Sequence, residues 1–394
     1  MIPEDWEVKA LGMISSVSSG GTPNRMNSTY WKGNIPWVTT SLIDFNEITN
    51  AEEFITEAGL KNSAAKLLSP GTILLALYGQ GKTRGKVGIL GIMATTNQAC
   101  ASINLSKTVS HKFVFHYLVN QYDAIRGLSN SGSQDNLNGQ IVKSILVPIP
   151  PLPEQRAIAS ALSDVDALLE SLDRLIAKKR DIKQAAMQQL LTGKKRLPGF
   201  VGEWEETTLG EIGECVIGLT YKPENIVKHG LLVLRSSNIQ NGCLSYEDNV
   251  YVNVDVPAHL VTRVGDILVC VRNGSRALIG KCAVIDEHAA GLTFGAFMSI
   301  YRTKYWQFVA HAFKSDNIQK QIMDNIGATI NQITNKDMNA FRLKLPPEDE
   351  QLAIAKILSD MDSEISALEK RREKTKSIKQ AMMQELLTGK TRLV

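Results

Sequence analysis

Apolar positions recur with a 4-3-4-3-4 spacing at Ile158, Leu162, Val165, Leu169, Leu172 and Ile176, and the same rhythm returns at Ile354, Leu358, Met361, Ile365 and Leu368. This is the a/d pattern that keeps one seam of a helix turned toward a partner helix. Pro153 can open the first helix without losing a needed hydrogen bond, and Gly193 and Gly389 stand just past the last apolar residues, where a C-cap wants a left-handed residue. Both helices sit in a longer repeat: residues 150–197 recur without a gap at 346–393, with 26 of 48 positions identical. The chain therefore reads as two halves, each a globular segment followed by a long helix.

Charge along the helices predicts how they pair. The first is acidic early (Glu154, Asp164, Asp166, Glu170, Asp173) and basic late (Arg174, Lys178, Lys179, Arg180, Lys183). The second repeats this order, from Glu348, Asp349, Glu350, Asp360, Asp362 and Glu364 to Lys370, Arg371, Arg372, Lys374, Lys376 and Lys379. Such an order suits each helix dipole and makes an antiparallel pair complementary, while a parallel pair sets like against like. Solvated faces with no partner choice remain the alternative. The expected fold is α+β: two mixed α/β heads, 1–149 and 198–345, at opposite ends of two long antiparallel coiled-coil helices, 150–197 and 346–394, in a pseudo-twofold cyclic arrangement.

The heads share landmarks at a constant offset of 198, with Trp6, Leu11, Gly12, Ile14, Gly20 and Thr22 matching Trp204, Leu209, Gly210, Ile212, Gly218 and Thr220. PGTILLALYGQGKTRGKVGI (70–89) parallels VGDILVCVRNGSRALIGKCAVI (264–285): a short apolar strand, a Gly-rich basic loop, then another strand. Between these landmarks the heads diverge, as two readers of different targets do.

Composition narrows the function. The net charge is +4, so any phosphate contact comes from local clusters rather than bulk charge. The longest apolar run, near Ile73 to Tyr78, is far short of a membrane span, and Glu4 and Asp5 stand where a signal peptide is basic; a cytoplasmic protein with no membrane partner is expected. Cys100, Cys215, Cys243, Cys270 and Cys282 are scattered without a CxxC pair, and His111 and His116 are five apart, so no metal and no cofactor is expected.

GQGKTRG (79–85) imitates the end of a phosphate-binding loop, but Ala76 occupies the position of the required first glycine. The segment reads instead as a loop presenting Gln80, Lys82, Arg84 and Lys86, matched by Arg272, Asn273, Ser275 and Arg276 in the second head. Arg and Lys pair with phosphate or guanine, and Asn and Gln with adenine. The same residue types recur at Arg25, Asn27 and Lys32, at Ser133, Gln134 and Asn136, at Arg235 and Asn238, and at Asn331 and Gln332. A plain solvated hairpin and ordinary polar surface are the competing readings of these loops. No GxSxG elbow, paired carboxylates in a cleft, methyltransferase Asn/Asp-Pro-Pro-aromatic signature or cofactor-binding glycine fingerprint is present, so the chain is expected to bind without chemistry of its own.

GGTPNRMNSTYWKGNIPWV, the paired PGTILLAL and VGDILVCV strands, the PPLPEQRAIA and PPEDEQLAIA openings and the IKQAAMQQLLTGKKRL and IKQAMMQELLTGKTRL endings together resemble the specificity subunit of a type I restriction-modification enzyme. The likeness spans essentially the whole chain; the second head departs from it at YKPENIV, where the first has its GGTP-type loop. It implies two target-recognition domains, each reading half of a split, asymmetric site on double-stranded DNA, with the helices fixing the gap and docking two methyltransferase subunits. Adenine methylation, and cleavage when a restriction/translocase subunit joins, would be done by those partners with S-adenosylmethionine, ATP and magnesium. Helix length then predicts a ruler: 38 residues from Glu154 to Leu191 span ~57 Å against ~34 Å for a turn of B-DNA. The rival readings are a two-headed adaptor independent of nucleic acid and an enzyme with an unrecognised active site.

Overall fold

The computed structural model describes residues 2–79, 81–128, 136–327 and 331–393. It divides into two compact units, residues 1–173 with 370–394, and residues 174–369. Each unit thus takes part of both long helices, α2 (Leu152–Leu190) and α4 (Glu348–Leu386), of 39 residues each. Both helices end as their sequences require, with Gly193 (φ +71°) and Gly389 (φ +73°) in the left-handed region.

Unit 1 is built on a five-stranded sheet of β1 (Ser15–Ser19), β2 (Glu47–Ile48), β3 (Ile73–Ala76), β4 (Val87–Leu90) and β5 (Cys100–Leu105), in the order β1-β5-β3-β4-β2. All neighbours are antiparallel except β2 with β4. The apolar run of β3 is buried at every residue, the mark of a strand covered on both faces. Alternation sends Ile73 and Leu75 into the core with Phe113 and Val114 of helix α1 (His111–Asn120), with Ile158, Leu162 and Met383 of the long helices, and with Leu387 just past α4. Leu74 and Ala76 face a smaller cluster with Val38, Ile43 and Leu90. A second sheet runs Trp31–Val38 antiparallel to Glu53–Ile55 and parallel to Thr95–Thr96.

Unit 2 repeats the plan with β6 (Glu214–Ile217), β7 (Ile267–Cys270), β8 (Cys282–Val284) and β9 (Met298–Arg302), all antiparallel in the order β6-β9-β7-β8. Leu231–Leu234 pairs in parallel with Thr293–Phe294. Helix α3 (Trp306–Phe313) covers the sheet, and Met187, Leu190, Ile354 and Leu358 of the long helices join the same core. The basic loops expected between apolar strands connect β3 to β4 and β7 to β8, hairpins rather than the strand-to-helix turn of a phosphate-binding loop.

Within each unit the long helices run antiparallel. In unit 1, Asp166 pairs with Lys379 at 2.5 Å and Asp173 with Arg372 at 2.6 Å, so position advances on one helix as it recedes on the other. In unit 2, Lys179 pairs with Glu364 at 2.6 Å, Arg180 with Glu369 at 2.5 Å, and Lys183 with Asp362. These are the acid-to-basic matches the charge order predicts. Ile158, Leu162, Leu172, Ile176, Ile354, Leu358 and Ile365 of the seam are buried, and Val165, Leu169, Met361 and Leu368 half-buried. The five cysteines are free.

Candidate nucleic-acid interface

Five chain segments meet at one place in unit 1, tied by four backbone hydrogen bonds. Gly21 N donates to Thr96 O (2.8 Å), Asn97 N to Val38 O (3.2 Å), Leu77 N to Ala99 O (2.8 Å) and Leu137 N to Leu77 O (3.0 Å). Unit 2 makes the corresponding four: Leu219 N to Phe294 O (2.7 Å), Gly295 N to Leu234 O (3.0 Å), Val271 N to Phe297 O (3.1 Å) and Ile333 N to Val271 O (2.9 Å). The shared glycines follow from this geometry. A Cβ on Gly20 would stand 2.0 Å from Thr96 O, and one on Gly218 2.2 Å from Gly295 O. Each unit therefore presents a crest on which the loop after the first strand, the segment following Val38 or Leu234, the hairpin loop, the turn before the last strand and the segment near residue 136 or 332 converge.

The side chains on this frame differ. Unit 1 carries Thr39, Thr40, Ser41, exposed Tyr78, Gln98 and Asn136, with the Thr22 hydroxyl donating to Gln98. Unit 2 carries Arg235, Ser236, Ser237, Arg272, Gln332 and Phe297, which is 55% exposed. A groove of about 490 Å³ lies there, lined by Thr220, Tyr221, Arg235, Ser236, Asp248 and Phe297 among others. Tyr78, Phe297 and Tyr221 carry no weight in a search for charged and amide side chains, and only Tyr78, beside the Gly-rich loop, offered a sequence signal.

The sequence candidates separate by what already holds them. Arg25 forms a bidentate pair with Glu53 and stacks 3.9 Å from the Trp31 ring, and Lys86 pairs with Asp44 at 2.6 Å. Asn27 caps a short turn, accepting from Thr29 N at 3.1 Å. Arg235 donates to Asp248 at 2.9 Å. Asn238 is fully buried and gives its amide to Ser245 O, Asp248 O and Asn249 Oδ1, so this geometry assigns it to shaping its loop. Asn273 donates to Ser236 at 3.1 Å, Asn331 to Gly274 O at 2.9 Å and Arg276 to Met323 O at 3.0 Å. Arg84 and Asn136 are half-buried and partnered. Lys32, Lys82, Arg272 and Ser275 are exposed and Gln332 half-exposed. Gln80, Ser133 and Gln134 lie outside the described residues.

Two buried joints seat each head on its helices. In unit 1, Glu154 is 1% exposed and accepts from Arg392 Nε (2.6 Å), Arg392 Nη2 (2.8 Å) and Trp6 Nε1 (3.2 Å). Arg392 also grips Asp5 at 2.7 Å, which holds that carboxyl below its usual range. In unit 2, Glu350 accepts from Arg196 Nε and Nη2 (both 2.6 Å) and from Trp204 Nε1 (3.1 Å). The second joint is a histidine. His116 Nε2 lies 3.2 Å from Ser163 Oγ, and His311 Nε2 lies 3.0 Å from Ser359 Oγ. Ser163, His116 and Asp166 follow the order of a nucleophilic triad, but the ring is buried and Nδ1 is 3.8 Å from Asp166, too far for the orienting hydrogen bond. Burial, followed by the nearby lysines, pushes His116 down to about 3 and His311 to about 4. Both imidazoles are neutral packing groups.

Among the described residues no cluster of three His, Cys, Asp or Glu is placed to hold a metal ion, and no helix is long and apolar enough to cross a membrane. The model of the type I restriction modification DNA specificity domain matches residues 3–178 and again 202–380. The chain is 26% identical to the type I restriction enzyme MjaVIII specificity subunit of Methanocaldococcus jannaschii, over 100% of this chain and 94% of that protein. It is 24% identical to the EcoR124I/EcoR124II specificity subunit of Escherichia coli over 45% of each. The fold matches the type I restriction-modification S subunit from M. genitalium with a TM-score of 0.61 at 17% identity, covering 98% of this chain and 96% of that one. A chain from a structural study of complex assembly and conformational transition in the type I system matches with the same TM-score at 19% identity, covering 98% of each. Carrying the matched domain once in each half, the chain belongs to the type I restriction modification DNA specificity family.

Proposed function

We propose that this chain is the DNA-reading subunit of a type I restriction-modification complex, in which each unit reads one half of a split, asymmetric site on double-stranded DNA. The reading modules are assigned to 1–149 and 198–345, and the spacer and docking segments to 150–197 and 346–394. The observation that carries this reading is the crest: one hydrogen-bonded frame built twice, with unlike side chains on it. A shared frame with different donors and acceptors is what recognition of two different half-sites requires, since base edges are distinguished by donor and acceptor pattern. Lys32, Lys82 and Ser275 suit phosphate contacts, which position without specifying.

Methylation, and cleavage where a restriction/translocase subunit is present, belongs to the partners. The duplicated helix is what supports two methyltransferase subunits as partners. Ile182 in unit 2 and Ile378 in unit 1 occupy the same repeat position, and both are exposed, at 44% and 47%. Co-expression with the cognate methyltransferase, followed by mapping of methylated adenines, tests the reading. A split motif that vanishes without this chain is expected. Methylation that is unchanged without it would overturn the reading and favour a nucleic-acid-independent adaptor, and a motif in one uninterrupted block would overturn the split site.

A further inference from the structure

We infer that Arg272 and Phe297 act together as a base reader in unit 2, Arg272 taking a guanine and Phe297 the methyl group of an adjacent thymine. The inference rests on the DNA-reading function proposed above and adds the residues and bases. Arg272 is exposed, its guanidinium carbon lies 5.0 Å from the Phe297 ring centre, and among the described residues no carboxylate pairs with it. Arg235 beside it is neutralised by Asp248, and Arg302 by Asp266 at 3.0 Å. Arg272 therefore keeps its planar fork available for two acceptors on one edge, the pattern guanine offers in the major groove.

Phe297 is 55% exposed on the polar crest and lines the groove of about 490 Å³ together with Tyr221 and Arg235. Its carbonyl accepts from both Val271 N and Arg272 N at 3.1 Å, so the two side chains are held by one rigid backbone junction. Stacking on the ring also removes rotamer freedom from the arginine before any ligand arrives. A phenyl ring offers no hydrogen bond to a base edge but makes good apolar contact with the thymine methyl. Unit 1 has Tyr78 and Ala99 at the corresponding junction, where Leu77 N donates to Ala99 O at 2.8 Å. The paired reader belongs to one half-site alone.

The test is a methylation map of the complex with its methyltransferase, for the unaltered chain, Arg272→Ala and Phe297→Ala. Arg272→Ala is expected to lose about 5- to 150-fold of the preference for one guanine, and Phe297→Ala to relax a neighbouring thymine in the same half-site, with the other half unchanged. Variants that keep the full motif at every position, or change positions in different halves, overturn the inference while the split motif of the unaltered chain upholds the DNA-reading function. A Phe297→Ala chain that no longer copurifies with the methyltransferase would place Phe297 in a protein interface and also overturn it. A second measurement needs no variant. In a synthetic duplex carrying the mapped motif, deoxyuridine in place of that thymine should weaken binding by the unaltered complex about four-fold, the worth of one buried methyl group. Unchanged affinity at every thymine of that half-site counts against the pair.

Discussion

At the scale of single residues, the groups that hold the heads on their helices are two buried carboxylates. A carboxylate taken out of water is tolerated only when its charge is paired and its lone pairs are filled, and removing one partner leaves an uncompensated buried charge. Glu154 and Glu350 are each filled by a forked arginine and an indole N–H. Arg392→Ala should therefore lower the melting temperature of unit 1 by several degrees, followed through the emission of Trp6. Adding Glu154→Gln should recover most of the loss, because the charge that suffered is then gone. A double variant as unstable as the single one would show that Arg392 acts through Asp5 instead. This clasp was present in the sequence but unread: Trp6 and Trp204, Glu154 and Glu350, Arg196 and Arg392 all sit at repeat-related positions. Separations of 148 and 238 residues hide it from any local pattern.

At the scale of elements, the histidine joints couple the packing of α1 on α2, and of α3 on α4, to pH. The folded-state values, about 3 for His116 and about 4 for His311, lie below the ordinary value of 6.5. Between those limits the unfolded chain binds more protons than the folded one, so stability is complete above pH 6.5 and falls as pH drops toward 4. At pH 5 the loss is on the order of 2 kcal/mol for each histidine, from about 1.5 pH units at ~1.36 kcal/mol. Urea unfolding at pH 7 and pH 5 should show this difference, and His116→Asn should shrink it for unit 1. An unchanged pH dependence would mean that other groups govern acid sensitivity. The helices, their caps and their antiparallel sense were legible because seam, dipole and glycine signals are local in sequence. The candidate site was only partly legible. Arg25, Lys86 and Arg235 read as free donors, and their partners Glu53, Asp44 and Asp248 lie 28, 42 and 13 residues away, where sequence gives no sign of pairing. Phe297 escaped because an isolated aromatic residue in a strand-rich segment reads as core.

At the scale of the whole molecule, the proposed function makes the two long helices the spacer between the half-sites. Helix α2 has 39 residues and so measures about 58 Å. Within each unit, ion pairs with α4 fix the antiparallel register of the two helices. Four residues inserted near its middle add about 6 Å and about 40° of rotation, whereas a base pair adds ~3.4 Å and roughly 35°. Rotation favours one extra base pair and length nearly two. The unread gap of the methylated site should therefore widen by one or two base pairs while both half-sites keep their sequence, because neither crest is touched. A methylation map of the insertion variant with altered half-sites would mean that the helices shape the reading surfaces rather than space them. An unchanged gap would mean that the spacing is set elsewhere in the complex.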